Sequence, residues 1–139
     1  MSKKVAIIDD DEIFQFTTKI KFEKLGLVED VMIFNDGEEA MQFIQSGNKE
    51  DMPEILLLDI NMPIVDGWDF LELFEKVPKE KKQMMEILML SSSINPDDVK
   101  RAEANAYVAD YITKPISDAD VKKIDHIMDK IKFNNVDVS

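Results

Sequence analysis

Short unbroken apolar runs alternate along this chain with longer segments whose apolar residues recur every three or four positions. Val5-Ala6-Ile7-Ile8 and Glu54-Ile55-Leu56-Leu57-Leu58 each run into aspartate, and Glu86-Ile87-Leu88-Met89-Leu90 runs into Ser91. Runs of this length predict strands covered on both faces, as in a parallel sheet between helices. Val31-Met32-Ile33-Phe34 and residues 107 to 113 are weaker strands of the same kind. Between them lie helix-period segments. In the last, Val121, Ile124, Met128 and Ile131 share a face, and Ser117 with Asp120 forms a capping-box pattern. Asn95-Pro96-Asp97-Asp98 starts another helix, with Asn as N-cap, Pro at the first helical position and acids in the first turn. That helix is expected to stop at Asn105, a residue that tolerates the left-handed conformation. Residues 12 to 25, 37 to 46 and 67 to 76 are the other three helices. Five strands alternating with five helices, joined by right-handed crossovers, predict a doubly wound α/β sandwich. In such sheets function gathers at the carboxyl ends of the strands.

Composition narrows the function. The 139 residues suffice for one domain with its own core, and 45% of them are apolar. No linker or repeat is visible, and the elements use nearly the whole chain, with only residues 133 to 139 after the last helix. The expectation is a single domain over residues 1–139 without an output domain. Acids outnumber bases 29 to 17, a net charge of −12, which disfavours nucleic acid and anionic membrane as partners. The one short basic run, Lys79 to Lys82, is read as a solvated loop. With no cysteine and a single histidine, His126, thiolate sites, disulfides and multi-histidine zinc sites within one chain are excluded. No apolar run reaches membrane-span length and the N-terminus lacks signal-peptide character, so a cytoplasmic location is expected.

The strand ends carry the chemistry. The first strand ends in Asp9-Asp10, the third in Asp59, the fourth in Ser91, and the fifth runs into Lys114-Pro115. In a parallel sheet these lie on one edge, so three carboxylates, a hydroxyl and an ammonium converge. Two carboxylates about 5 Å apart repel by roughly 3 kcal/mol at an effective dielectric near 20. Such a cluster calls for a cation, and oxygen-only ligands call for a hard one: Mg²⁺, Mn²⁺ or Ca²⁺. A site of few carboxylates with room for water and a phosphoryl oxygen suits Mg²⁺ best.

With these residues goes a family resemblance. Ile7-Ile8-Asp9-Asp10, then Leu58-Asp59-Ile60-Asn61-Met62-Pro63-Ile64-Val65-Asp66-Gly67, then Leu90-Ser91-Ser92, then Tyr111-Ile112-Thr113-Lys114-Pro115 stand in order. The chain resembles, over residues 4 to 133, the receiver domains of two-component response regulators, such as the single-domain chemotaxis regulator. The resemblance implies a flavodoxin-like (βα)5 fold with a parallel sheet in order 2-1-3-4-5. It implies Asp59 as phosphoacceptor and Mg²⁺ bound by Asp10, Asp59 and the backbone carbonyl of Asn61, with Asp9 acting through a water. It further implies Lys114 as partner of Asp59 and then of the phosphoryl oxygens, followed by a cis peptide to Pro115. Ser91 matches the switch hydroxyl, Tyr111 the aromatic that turns inward on activation, and Ser92 a small residue leaving access for the phosphodonor. The implied partners are a histidine kinase or histidine phosphotransfer protein as donor and a downstream protein target, with the chain a monomer or weak homodimer. The implied role is a phosphoacceptor that assists its own phosphorylation and dephosphorylation, not a turnover enzyme.

Other residues have plainer readings. Asp9 and Asp10 could cap the first helix, a reading the other motifs outweigh, and Asp11 is a solvated helix-start residue. Asp66-Gly67 reads as a turn and helix start, Met62-Pro63 as the loop that presents Asn61, and Ser93 as an exposed loop residue at a position that tunes dephosphorylation in the family. Trp68 reads as helix packing and His126 as a surface residue. Two other classes stay open: an aspartyl-phosphate hydrolase of the haloacid dehalogenase type, and a phosphate-independent module on the same fold. Asp59-Ile60-Asn61 lacks the second aspartate that such a hydrolase uses, and the near-complete acid, lysine and hydroxyl set argues against the module.

Overall fold

The computed structural model describes residues 3–137, with side chains through Ile131. Strands β1 (Lys4–Ile8), β2 (Asp30–Phe34), β3 (Ile55–Asp59), β4 (Glu86–Ser91) and β5 (Val108–Thr113) form one sheet in the order β2-β1-β3-β4-β5. Every neighbouring pair is parallel. Helices α1 (Glu12–Leu25), α2 (Gly37–Ser46), α3 (Gly67–Glu75), α4 (Lys79–Lys82), α5 (Pro96–Glu103) and α6 (Asp118–Asp137) connect and cover it.

The two-sided burial expected of unbroken apolar strands is what makes the three layers. Side chains of β1, β3 and β4 alternate between two cores. Ala6, Ile8, Leu56, Leu58, Ile87 and Met89 face Ala40, Met41 and Ile44 of α2 and Phe70, Leu71 and Phe74 of α3. Val5, Ile7, Ile55, Leu57, Leu88 and Leu90 face Phe14 and Phe22 of α1 and Val121, Ile124, Met128 and Ile131 of α6. Each fully buried aliphatic side chain contributes about 1.5–3 kcal/mol, so the strands whose ends carry the acids are the most firmly held part of the molecule.

Local signals set the helix starts. Asp11 caps α1, its carboxylate accepting from the Ile13 and Phe14 amides, and Gly26 ends that helix at φ 65°. Asp66 and Asp69 form a reciprocal capping box on α3, as Ser117 and Asp120 do at the start of α6. Asn95 caps α5, with Pro96 at its first turn.

Three expectations need correction. The helix α5 ends at Glu103, not Asn105, and Asn105 is not left-handed; its side chain instead accepts from the Tyr107 amide, turning the chain into β5. The run Lys79–Lys82 is a helical turn, not a solvated loop. Lys81 Nζ donates to the carbonyls of Ile44 and Gln45 at the end of α2, and Lys82 Nζ to the Glu75 carbonyl at the end of α3. These ammonium groups satisfy helix C-terminal carbonyls from a third element, a placement favoured by the helix dipole. The last helix also runs further than expected, through Asp137.

One glycine sets how closely α3 approaches the end of β3. A Cβ on Gly67 would lie 2.8 Å from both the Asp59 carbonyl oxygen and Ile60 Cα. The Gly67 amide donates to the Ile60 carbonyl at 2.9 Å. Gly67→Ala should therefore lower stability in urea unfolding by about 1–2 kcal/mol, because overpacking against backbone outweighs alanine's better helix propensity. A variant as stable as the parent would show that α3 can retreat freely.

Candidate functional site

The parallel register brings the strand-end residues together at one edge. Carboxylate oxygens of Asp9, Asp10 and Asp59 all lie within 4.8 Å of one another. Asp9 is fully buried, Asp59 is 5% exposed, and Asp10 is exposed. Lys114 Nζ reaches in from the end of β5, 2.5 Å from Asp9 Oδ2 and 3.6 Å from Asp59 Oδ2. It also lies over the ring of Phe14 at 4.5 Å. The Lys114–Pro115 peptide is cis.

Backbone contacts fix these side chains. The Lys114 amide donates to the Ser91 carbonyl at 2.8 Å and the Ile60 amide to the Leu90 carbonyl at 3.0 Å, extending the ladders past the strand ends. The Asn61 amide donates to Asp59 Oδ1 at 3.2 Å. Asp9 Oδ1 accepts from the Asp11 amide, which folds the chain tightly from β1 into α1.

The remaining sequence-predicted residues sit around this centre. Ser91 is buried at the end of β4. Its Oγ accepts from the Ser93 amide at 3.3 Å. Half-buried Tyr111 is not part of the carboxylate cluster; its hydroxyl donates to the Ser93 carbonyl at 3.3 Å. Ser93 is thus more than an exposed loop residue, since its backbone ties Ser91 and Tyr111 to one loop. Trp68 is half-buried and meets Arg101, and His126 is exposed.

Sequence reasoning missed two features. Gln15, buried on α1, donates to the Asp9 carbonyl at 2.5 Å and to Asn35 Oδ1 at 3.0 Å, pinning the loops after β1 and β2 together. Among the described residues, the exposed large apolar side chains are Ile13, Phe16 and Ile20 of α1, with Ile64 and Ile94 in the loops after β3 and β4. Ile64 is also held at φ 69°, a strained conformation for a β-branched residue. No pattern distinguishes these from core residues until the helix face is known.

The electrostatics follow from burial. Asp59 has its pKa raised from 3.8 to about 6, first by desolvation and then by the negative charge of Asp9; Lys114 and the Asn61 amide oppose the shift. Asp9 Oδ2 is buried and touches the Lys114 ammonium without a well-directed hydrogen bond. One ammonium therefore meets two of the three carboxylates and leaves acceptor capacity unmet. That donor set, all oxygen and partly desolvated, fits a hard divalent cation.

Comparison with known proteins agrees with this geometry. The family profile described as response regulator receiver domain matches residues 5–125. The chain belongs to the response regulator receiver domain family. It is 27% identical over 121 residues to a probable methanogenesis regulatory protein, FilR2, of Methanothrix harundinacea, covering 86% of this chain and 76% of that one. It is 32% identical over 122 residues to the alkaline phosphatase synthesis transcriptional regulatory protein PhoP of Bacillus subtilis. There the match covers 87% of this chain but 46% of PhoP, less than half its length. A crystal structure of a response regulator receiver protein from Dyadobacter fermentans superposes with a TM-score of 0.82 at 25% identity, covering 94% of this chain and 98% of that one. The receiver fold and the sheet order 2-1-3-4-5 expected from the sequence are thus both present. No described helix of this receiver domain is long and apolar enough to cross a membrane.

The raised pKa gives a stability test. The folded state holds the Asp59 proton more tightly than the unfolded chain. Its contribution is therefore fully present below pH 3.8 and lost as pH rises through about 6. The loss is on the order of 2–3 kcal/mol. In EDTA, Asp59→Asn should be more stable than the parent at pH 7, with the difference vanishing as pH falls toward 4. Urea midpoints across that range measure it; a difference independent of pH would place the strain elsewhere.

Proposed function

We propose that this receiver domain is the phosphoacceptor of a two-component relay, with Asp59 as the residue that takes the phosphoryl group. The observation that carries this is the buried Asp59 carboxylate, clustered with Asp9 and Asp10 and approached by a single ammonium, Lys114. An Asp59 oxygen attacks phosphorus, the bond from phosphorus to the donor's imidazole nitrogen breaks, and the nitrogen leaves with the electron pair. The product is a mixed anhydride, open to later in-line attack by water. Asp10, Asp59 and the Asn61 carbonyl, with Asp9 through a water, would hold Mg²⁺, which would supply positive charge for the transferring oxygens.

The chain's own groups do the rest. Lys114 shifts its contact toward the phosphoryl oxygens, which carry about −1.5 to −2 charge. Ser91 supplies a hydroxyl to one of them, giving up its present contact with the Ser93 amide. Tyr111, bonded to the carbonyl of that same residue, follows the loop. The surface of α5, β5 and α6 changes as a result, and the signal leaves through protein contact.

The donor is a histidine kinase or phosphotransfer protein, and the exposed apolar stripe of α1 supports docking there. Ile13 and Phe16 are 77% and 65% exposed, on the helix that starts beside Asp10 and Asp11. A protein seated on them holds its phosphohistidine over the carboxylate edge.

Incubation with acetyl phosphate and Mg²⁺ should add one phosphoryl group by intact mass. EDTA or Asp59→Ala should abolish that gain while far-ultraviolet circular dichroism stays unchanged. Labelling of Asp59→Ala at another residue would overturn the assignment. The double variant Ile13→Ser, Phe16→Ser should label normally with acetyl phosphate yet accept phosphate from its protein donor about ten-fold or more slowly. Equal slowing with both donors would show damage to the site rather than to docking.

A further inference from the structure

The helix α5 is held differently from every other long helix. It is eight residues long and buries one side chain, Ala102, whereas α6 buries Val121, Ile124, Met128 and Ile131. Clefts flank it on both sides. One of about 270 Å³, lined by Ile94, Val99 and Tyr111, lies beside its packing on β5; another of about 210 Å³, lined by Glu72, Arg101 and Tyr107, lies between it and α3. A helix with one buried anchor and space on either side shifts as a unit at low cost. Across the second cleft, from α5 to α3, reaches the Arg101 guanidinium, 4.3 Å from the centroid of the Trp68 ring.

We propose that the Arg101–Trp68 contact is a latch that sets how readily the receiver switches. It holds α5 in the arrangement in which Ser91 Oγ and the Tyr111 hydroxyl are both tied to Ser93. Only residues 92 to 95 join the end of β4 to the start of α5. A movement of Ser91 toward a phosphoryl group is therefore carried into α5 with little slack. The cationic end of Arg101 then leaves the face of Trp68. A cation–π contact at an exposed position biases two arrangements by about two- to five-fold. That is enough to tune a switch without locking it. The latch rests on the reading that Asp59 accepts phosphate.

Trp68 is the chain's one tryptophan, so its emission reports the latch directly. The test uses the full chain with Mg²⁺, with and without beryllofluoride, and three proteins: parent, Arg101→Met and Arg101→Lys. Acrylamide quenching of Trp68 and the rate of labelling by acetyl phosphate are read on each. Beryllofluoride should make Trp68 of the parent more quenchable. Arg101→Met should start in that more quenchable state and label about two- to five-fold faster, and Arg101→Lys should restore values near the parent. The latch is overturned if the parent labels normally while its Trp68 quenching ignores beryllofluoride, or if Arg101→Met matches the parent in both readouts. If none of the proteins labels, the phosphoacceptor reading itself falls, and the latch with it.

Discussion

Three carboxylates share one edge of a sheet with a single ammonium, and the rest of the molecule can be read from how that arrangement is borne. Asp9, Asp10 and Asp59 repel one another, and burial of the first and third weakens the solvent screening that would relieve them. Side chains alone would rotate apart. What prevents this is backbone. The ladder continues past β3 and β5 through the Ile60 and Lys114 amides, Gln15 ties down the Asp9 carbonyl, and Gly67 lets α3 press against the Asp59 peptide. Beneath lie β1, β3 and β4, buried on both faces. The apolar core buries carboxylates at its rim, and the elevated pKa of Asp59 reflects that burial first and the charge of Asp9 second. Such a site favours a cation, whose charge would serve the proposed phosphoryl transfer.

The two sides of the sheet are unequally anchored. On one, α1 and α6 pack Phe14, Phe22 and four apolar residues of α6 against the strands. On the other, α2 and α3 are well buried, but α5 contributes Ala102 alone to the core. A shift of α5 would therefore disturb one buried side chain, Ala102, where a shift of α3 would disturb Phe70, Leu71 and Phe74. The Ser93 backbone lies in the link from β4 to α5, holding the hydroxyls of Ser91 and Tyr111 at its two ends. Its side chain is unimportant to this role, which is why the residue type conveyed nothing about it.

Much of the fold was legible because its causes are local. The unbroken runs at β1, β3 and β4 read as strands covered on both faces, and Asp9, Asp59 and Ser91 follow directly from where such runs stop. The caps at Asn95 and Ser117 announced themselves by spacing. What stayed hidden depends on tertiary approach. Lys81 and Lys82 look like solvated charge until the ends of α2 and α3 are placed beside them. Asn105 has a side chain suited to either a left-handed cap or a side-chain turn, and the demands of β5 decide for the turn. In α1, Ile13, Phe16 and Ile20 are as apolar as Phe14 and Phe22, so no periodicity tells the exposed face from the buried one.

That exposed face bears on how a strongly acidic receiver could choose its donor. The chain carries a net charge of −12, and a phosphoryl donor is itself anionic, so approach is opposed beyond short range. Charge attraction alone would suit any basic protein and discriminate poorly. Apolar contact acts only where shapes meet. The exposed large apolar side chains among the described residues lie on α1 and in the loops after β3 and β4. Ile64 remains apolar at a positive φ where glycine or asparagine would be easier, and it is 91% exposed. Neither packing nor backbone conformation accounts for an isoleucine there. In the proposed relay, contact of Ile64 with the donor would account for it, and would let a matched donor overcome a repulsion that turns others away.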